Sequence, residues 1–260
     1  ASSDEPFTQY GLVAERISVS TANDSVTFFI DKKAYFHDGH PITSEDILFS
    51  FNTLTKQGRP FYGAYYADVT DVKIIDEHTI TFHFRDGKNR ELPLILGQLQ
   101  VLPAHYWKDK DFTAATLSPP LGSGPYKIAK FSQGKDISYQ RTENYWAKDH
   151  PSRIGHFNFD EIRFDYYRDP NVALEAFKSK NFDIREENSS KSWATQYKGP
   201  AFDDNSITLA TIPHENPAGM QAFAINTRRE LFQDPKVRQA LGLAFDFEWT
   251  NKNLFYSAYT

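Results

Sequence analysis

Residues 25 to 54, SVTFFIDKKAYFHDGHPITSEDILFSFNTL, constrain the fold of this chain more than any other stretch. SVTFFI is β-branched and aromatic and reads as a strand. After AYF, Asp38-Gly39 supplies turn chemistry, and Pro41, which lacks an N–H to give to a ladder, stops the strand. Thr43 and Asp46 then stand in the T-x-x-D arrangement of a capping box. Ile47, Leu48, Phe51 and Leu54 recur at the spacing of one helix face, so an amphipathic helix is expected directly after the turn.

The same grammar continues on both sides. GLVAERISV reads as a strand before SVTFFI, with Asn23 and Asp24 turning the chain between them. DVKIID and TITFHF are two further strands joined by Glu77-His78. In the second, Ile80, Phe82 and Phe84 share one face and Thr79, Thr81 and His83 the other. From Leu92 to Gly124 the chain is punctuated by Pro and Gly, with short helical pieces near ELPLILGQL and PAHYW, as in a connection between sub-structures. A second block opens at GSGPYKIAKF, turns at Gly134-Lys135, and continues through the strands DISYQR and FDEIRFDYY. Asp169 caps a helix with Pro170 first and Ala173, Leu174 and Phe177 apolar. FDIRE is expected to follow as a strand, which would make a β-α-β unit with some parallel sheet. SSKSWATQY reads as a short helix, SITLATI and MQAFAIN as strands, and Asp234-Pro235 as the start of a last amphipathic helix through Val237, Leu241 and Ala244. No internal repeat is present.

Charge and composition exclude several function classes. With 29 basic and 34 acidic residues and a net charge of -5, no long-range positive field exists to gather nucleic acid or anionic lipid. There are no cysteines, which removes disulfides, zinc-thiolate sites and a cysteine nucleophile. No run approaches the roughly 18 apolar residues that a membrane span needs, so direct membrane insertion is not expected. The opening ASSDEPF, without an initiator Met or an apolar signal core, reads as that of a processed or truncated chain. The 22 Phe, 14 Tyr and 4 Trp exceed what a minimal core requires, and serve either core packing or a ligand wall.

The local catalytic templates are missing: there is no phosphate loop, no G-x-G-x-x-G, no nucleophile elbow and no H-E-x-x-H. His37, Asp38 and His40 carry metal-ligating groups. Three alternating donors in one tight turn cannot converge without outside help, so a turn rather than a metal site is expected there. Glu186, Glu187 and Asn188 follow the expected strand FDI, and strand ends are where ligands collect in α/β sheets. The two carboxylates could act as an acid/base pair, bind a ligand's ammonium group, or be solvated. RPFYGAYYAD places Phe61, Tyr62, Tyr65 and Tyr66 in what reads as a Gly-containing loop, where the rings either wall a ligand or pack beneath the loop.

VTFFIDKKAYFHDGHPITSEDILFSF, GSGPYKIAKF, RTENYW, DEIRFDYYRDPNVALEAFKSKNFDI and FAINTRRELFQDPKVRQALGLAFDFEW resemble, in order, the landmarks of the family 5 extracellular solute-binding proteins of ABC importers. KNRELPLILGQLQVLPAHYW, REENSSKSWATQY and FEWTNKNLFY are most similar to the Yej-type oligopeptide and microcin C binding components. The resemblance implies an α/β fold of the type II periplasmic binding protein kind (cluster C). It would be present in part: a satellite domain over 1–113, part of lobe I over 114–217, and the crossover and start of lobe II over 218–260. Family members are longer at both ends, so a fragment of a larger protein is expected. The implied function is a periplasmic, non-enzymatic component that binds oligopeptides or peptide-like small molecules and delivers them to an inner-membrane permease, with no cofactor. By position, the cleft would draw on Phe61, Tyr62 and Tyr65, on Glu186, Glu187 and Asn188, and on Met220, Gln221 and Phe223. The rival readings are a hydrolase using Glu186 and Glu187 and a ligand-sensing module on the same scaffold.

Overall fold

The computed structural model describes residues 5, 8–217, 219–220 and 222–259. The chain divides into two compact units, Ala1–Tyr166 and Tyr167–Thr260.

The first unit is built on a four-stranded antiparallel sheet, β1 (Ala14–Val19), β2 (Ser25–Ile30), β3 (Val69–Asp76) and β4 (Thr79–Phe84), in the order β1-β2-β4-β3. The alternation in the two central strands sets its register: Val26 pairs with Phe82 and Phe28 with Ile80, so the apolar residues of both strands face one core. Val26, Ile80 and Phe82 are essentially inaccessible, and burying a side chain of this kind contributes roughly 1.5–3 kcal/mol. On the opposite face, Thr27 and Thr81 meet through their hydroxyls at 2.8 Å, a cross-strand pair of the kind that favours one register. The capped helix α1 (Ser44–Gln57) covers the core, with Ile47 and Leu54 buried and Phe51 edge-on to Phe82 at 5.5 Å between centroids.

Asp46 is the joint of this unit. Its carboxylate accepts from the Thr43 amide (2.9 Å) and hydroxyl (3.1 Å), and also from the Ala104 amide (2.9 Å). It therefore both caps α1 and anchors α4 (Ala104–Trp107), the second of the short helices of the connecting stretch after α3 (Leu92–Leu96). RPFYGAYYAD is not a loop: Pro60–Tyr65 is a helix, α2. Pro60 sits at its start, where a missing N–H costs nothing and the fixed φ already suits a helix. A second antiparallel sheet, β5 (Tyr126–Ser132), β6 (Asp136–Arg141) and β7 (Glu161–Asp165), completes the unit. The His37 amide donates to Gly122 O and its ring to Gly124 O, both at 2.8 Å, so the 36–40 turn is tied to the start of this sheet.

The second unit is helical among its described residues: α5 (Pro170–Lys178), α6 (Ser190–Gln196), α7 (Pro200–Asp203), a 3-10 turn at Glu230–Phe232, α8 (Pro235–Leu243) and α9 (Phe247–Asn253). Sequence-readable caps start four of them. Asp169, Ser189, Asp234 and Asp246 each accept a backbone N–H of the first turn, at 2.7–3.2 Å.

The strands expected at FDIRE, SITLATI and MQAFAIN are not formed among the described residues, and every pairing in the two sheets is antiparallel, so the expected parallel β-α-β unit is absent. The reason is physical. A strand is completed by a neighbour's backbone, and in this unit no neighbouring strand accepts theirs. Apart from the buried Ile207, large apolar residues of these segments are left in solvent, Ile184 at 81% and Phe223 at 91% exposure. Helix α8 forms where expected, yet it has no buried residue and Leu241 stays half exposed.

Candidate ligand-binding surfaces

Helix α2 divides its aromatics by helical spacing. Tyr66, just past its end, is buried against the core, and burial raises its phenol to about 12. Tyr62, one turn back, packs against the core and lies nearly parallel to Tyr66, 6.2 Å between centroids. Phe61 and Tyr65, four residues apart, point the other way, 41% and 57% exposed, with rings 5.5 Å apart. The helix thus divides its rings: Tyr62 and Tyr66 pack beneath, and Phe61 and Tyr65 form an exposed apolar platform carrying one hydroxyl. Such a surface can stack on a flat or mixed-polarity group.

In the second unit, Glu187 is committed within the protein. Its Oε2 accepts from the Tyr197 hydroxyl at 2.8 Å and from Arg185 Nη2 at 3.2 Å, while Arg185 Nε donates to the same hydroxyl at 2.9 Å. Oε1 accepts the Ser189 amide at 2.8 Å, at the start of α6. Burial alone would raise the Glu187 carboxyl, but the Ser189, Tyr197 and Arg185 donors outweigh it and hold the group below the usual carboxylate range. This is the opposite of what a general acid needs at neutral pH, so the geometry lends the hydrolase reading no support. Glu186 and Asn188, on either side, are exposed. The alternation is that of an extended segment pinned at Arg185 and Glu187.

Met220 and Phe223 are 89% and 91% exposed and belong to no helix or strand; Gln221 lies outside the described residues. Phe61, Tyr62 and Tyr65 thus share one helix, and Glu186, Glu187 and Asn188 one capped segment in the other unit. A cleft of about 440 Å³ opens in the first unit between residues 9–17 and 96–101, floored by Phe28, Ile47 and Phe82. None of the expected site residues lines it. Sequence reasoning passed over it because its walls are ordinary core positions and a loop, with no spacing to mark them. It also passed over Arg185 and Tyr197, which decide what Glu187 can do.

Residues 8–260 match the profile of the bacterial extracellular solute-binding proteins, family 5 (middle region). The chain belongs to that family. It is 42% identical to YejA of Escherichia coli K12 over 260 residues, covering all of this chain and 42% of that protein. It is 40% identical over 265 residues to the "Probable peptide-binding protein YejA" of Agrobacterium fabrum, covering 98% of this chain and 43% of the relative. The chain therefore spans less than half the length of these relatives. Among solved structures, NikA from Brucella suis in complex with Fe(III)-EDTA superposes with a TM-score of 0.74 at 19% identity, covering 95% of this chain and 48% of that one. That likeness establishes the type II periplasmic binding fold, present here in part. Among the described residues no helix is long and apolar enough to cross a membrane.

Proposed function

We propose that this chain forms part of the periplasmic binding component of an ABC importer, one that holds oligopeptide-like ligands between two lobes and passes them to an inner-membrane permease without altering them. The observation that carries the proposal is family membership over residues 8–260, and the peptide-binding name of an Agrobacterium relative supports the ligand class. In this reading residues 1–113 form the satellite domain, 114–217 part of the first lobe, and 218–260 the crossover and the start of the second. A ligand that touches both lobes favours the closed arrangement by its differential affinity for it.

The residues divide the work by chemistry. Phe61 and Tyr65 offer ring faces to side chains of varied shape, and Tyr62 supports them from below. Glu186 and Asn188 are free to meet a peptide ammonium or amide, and Glu187, held by Arg185 and Tyr197, positions them rather than touching ligand. Met220, Gln221 and Phe223 are proposed to meet the ligand's main chain, and main-chain pairing reads no side chain and so permits broad specificity. The test is uptake. In a bacterial host whose other peptide importers are deleted, removing this gene is expected to abolish entry of labelled oligopeptides, and a plasmid copy to restore it. Unchanged uptake in the deletion strain would remove the importer role.

A further inference from the structure

We infer that Asp38, His40 and His105 form a binding site for a borderline divalent transition-metal ion of the Zn²⁺, Ni²⁺ and Cu²⁺ class, clipping the 36–40 turn to helix α4. Residues 67 positions apart in sequence supply the outside help that the His-Asp-Gly-His turn lacks by itself. Asp38 Oδ2 lies 2.7 Å from His105 Nε2 and 3.1 Å from His40 Nδ1. One ligand atom from each residue falls within 4.8 Å of the other two. Metal bonds to imidazole nitrogen and carboxylate oxygen are about 2.0–2.2 Å, which sets neighbouring donors about 3 Å apart. Both carboxylate-to-imidazole spacings are already near that value, and the two-imidazole, one-carboxylate donor set is the one that suits Zn²⁺, Ni²⁺ and Cu²⁺ rather than Ca²⁺ or Mg²⁺.

The supports of the three donors are as telling as the donors. Asp38 Oδ1 accepts the His40 amide at 3.1 Å, which turns Oδ2 toward both rings. Gly39 between them has φ +89°, a left-handed conformation that glycine adopts without strain and that folds His40 back onto Asp38. His105 is backed by the buried Phe36 ring at 5.7 Å, and its helix is anchored through the Ala104 amide to Asp46. It is the fixed ligand. His40, whose side chain is 60% exposed, stacks on His105 at 4.1 Å between centroids and can swing to close the remaining gap. His37 takes no part, since its ring is spent on Gly124 O. With its donors partly open to solvent, the site leaves water to fill the other coordination positions. The site stands apart from the peptide-binding reading, and neither depends on the other.

The test is calorimetric titration of the chelator-stripped protein with ZnCl₂ and with NiCl₂. One saturable equivalent is expected in the wild type. His40→Ala and His105→Ala are each expected to weaken it at least about tenfold, as loss of a ligand should, whereas His156→Ala, an exposed histidine elsewhere, leaves it unchanged. Metal is also expected to raise the thermal midpoint of the wild type and not of His40→Ala; because His40 is on the surface, that variant should match the wild type in chelator, separating lost binding from lost folding. Electron paramagnetic resonance of the Cu²⁺ form should show two imidazole nitrogens in the wild type and one in His40→Ala. No saturable binding, or equal affinity in wild type and both ligand variants, would overturn the site.

Discussion

A single carboxylate joins three pieces of the first unit. Asp46 is 5% exposed and satisfies its buried charge with three donors from residues 43 and 104. Replacing it with Ala removes the cap and strands the Ala104 amide, two losses of about 1 kcal/mol or more apiece. Asp46→Ala is therefore expected to lower unfolding stability by roughly 2–4 kcal/mol in denaturant titration, with Asp46→Asn intermediate. Glu187 makes a second prediction at this scale. Its folded carboxyl lies below the unfolded value of about 4.3, so the stability it adds is complete above that pH and is lost as pH falls through the lower folded value. Glu187→Gln should lower stability at neutral pH and flatten the acid limb of the unfolding profile below about pH 4.3. Parallel wild-type and variant acid curves, followed by circular dichroism, would contradict this.

Elements divide into those whose reasons are local and those whose reasons are not. Helix α1 was legible because its cap, spacing and preceding turn lie within 20 residues, and β2 and β4 because their alternation matches a half-buried sheet. FDIRE and MQAFAIN carry equally good strand composition, yet a ladder needs a neighbour, and sequence composition cannot say whether one is present. The aromatic run at 60–66 was legible as a surface of interest but not as a helix, because Gly63 and Pro60 suggest a loop to local reasoning while packing of Tyr62 and Tyr66 decides the matter. This division has a consequence. Phe61→Ser with Tyr65→Ser, both on the exposed face of α2, is expected to leave stability within about 0.5 kcal/mol while weakening peptide affinity severalfold. Tyr66→Ser, on the inner face, is expected to cost roughly 3 kcal/mol or more. Equal stability losses at both faces, measured by thermal unfolding alongside peptide titration, would contradict the division.

At the scale of the molecule, buried apolar side chains are concentrated in the first unit. Its core gathers both central strands, α1 and α3, whereas among the described residues of the second unit the buried apolar side chains are Ala173, Leu174, Tyr197 and Ile207. Exposed large apolar side chains recur along the second unit, among them Ile184, Phe223 and Leu243. The residues proposed to meet ligand show the same split: the aromatics of α2 and the carboxylates at 186–187 stand out by residue type alone, while the Arg185–Glu187–Tyr197 group and the His105 partner of the 36–40 turn join residues that only folding brings together. The central claim is that the protein holds its ligand by contact alone. Non-denaturing mass spectrometry of the protein incubated with defined oligopeptides tests it most directly. The account predicts complexes at the summed mass of protein and whole peptide, from which denaturation releases each peptide uncleaved after prolonged incubation; accumulation of peptide fragments, or a folded protein that retains no peptide at any concentration, would contradict it.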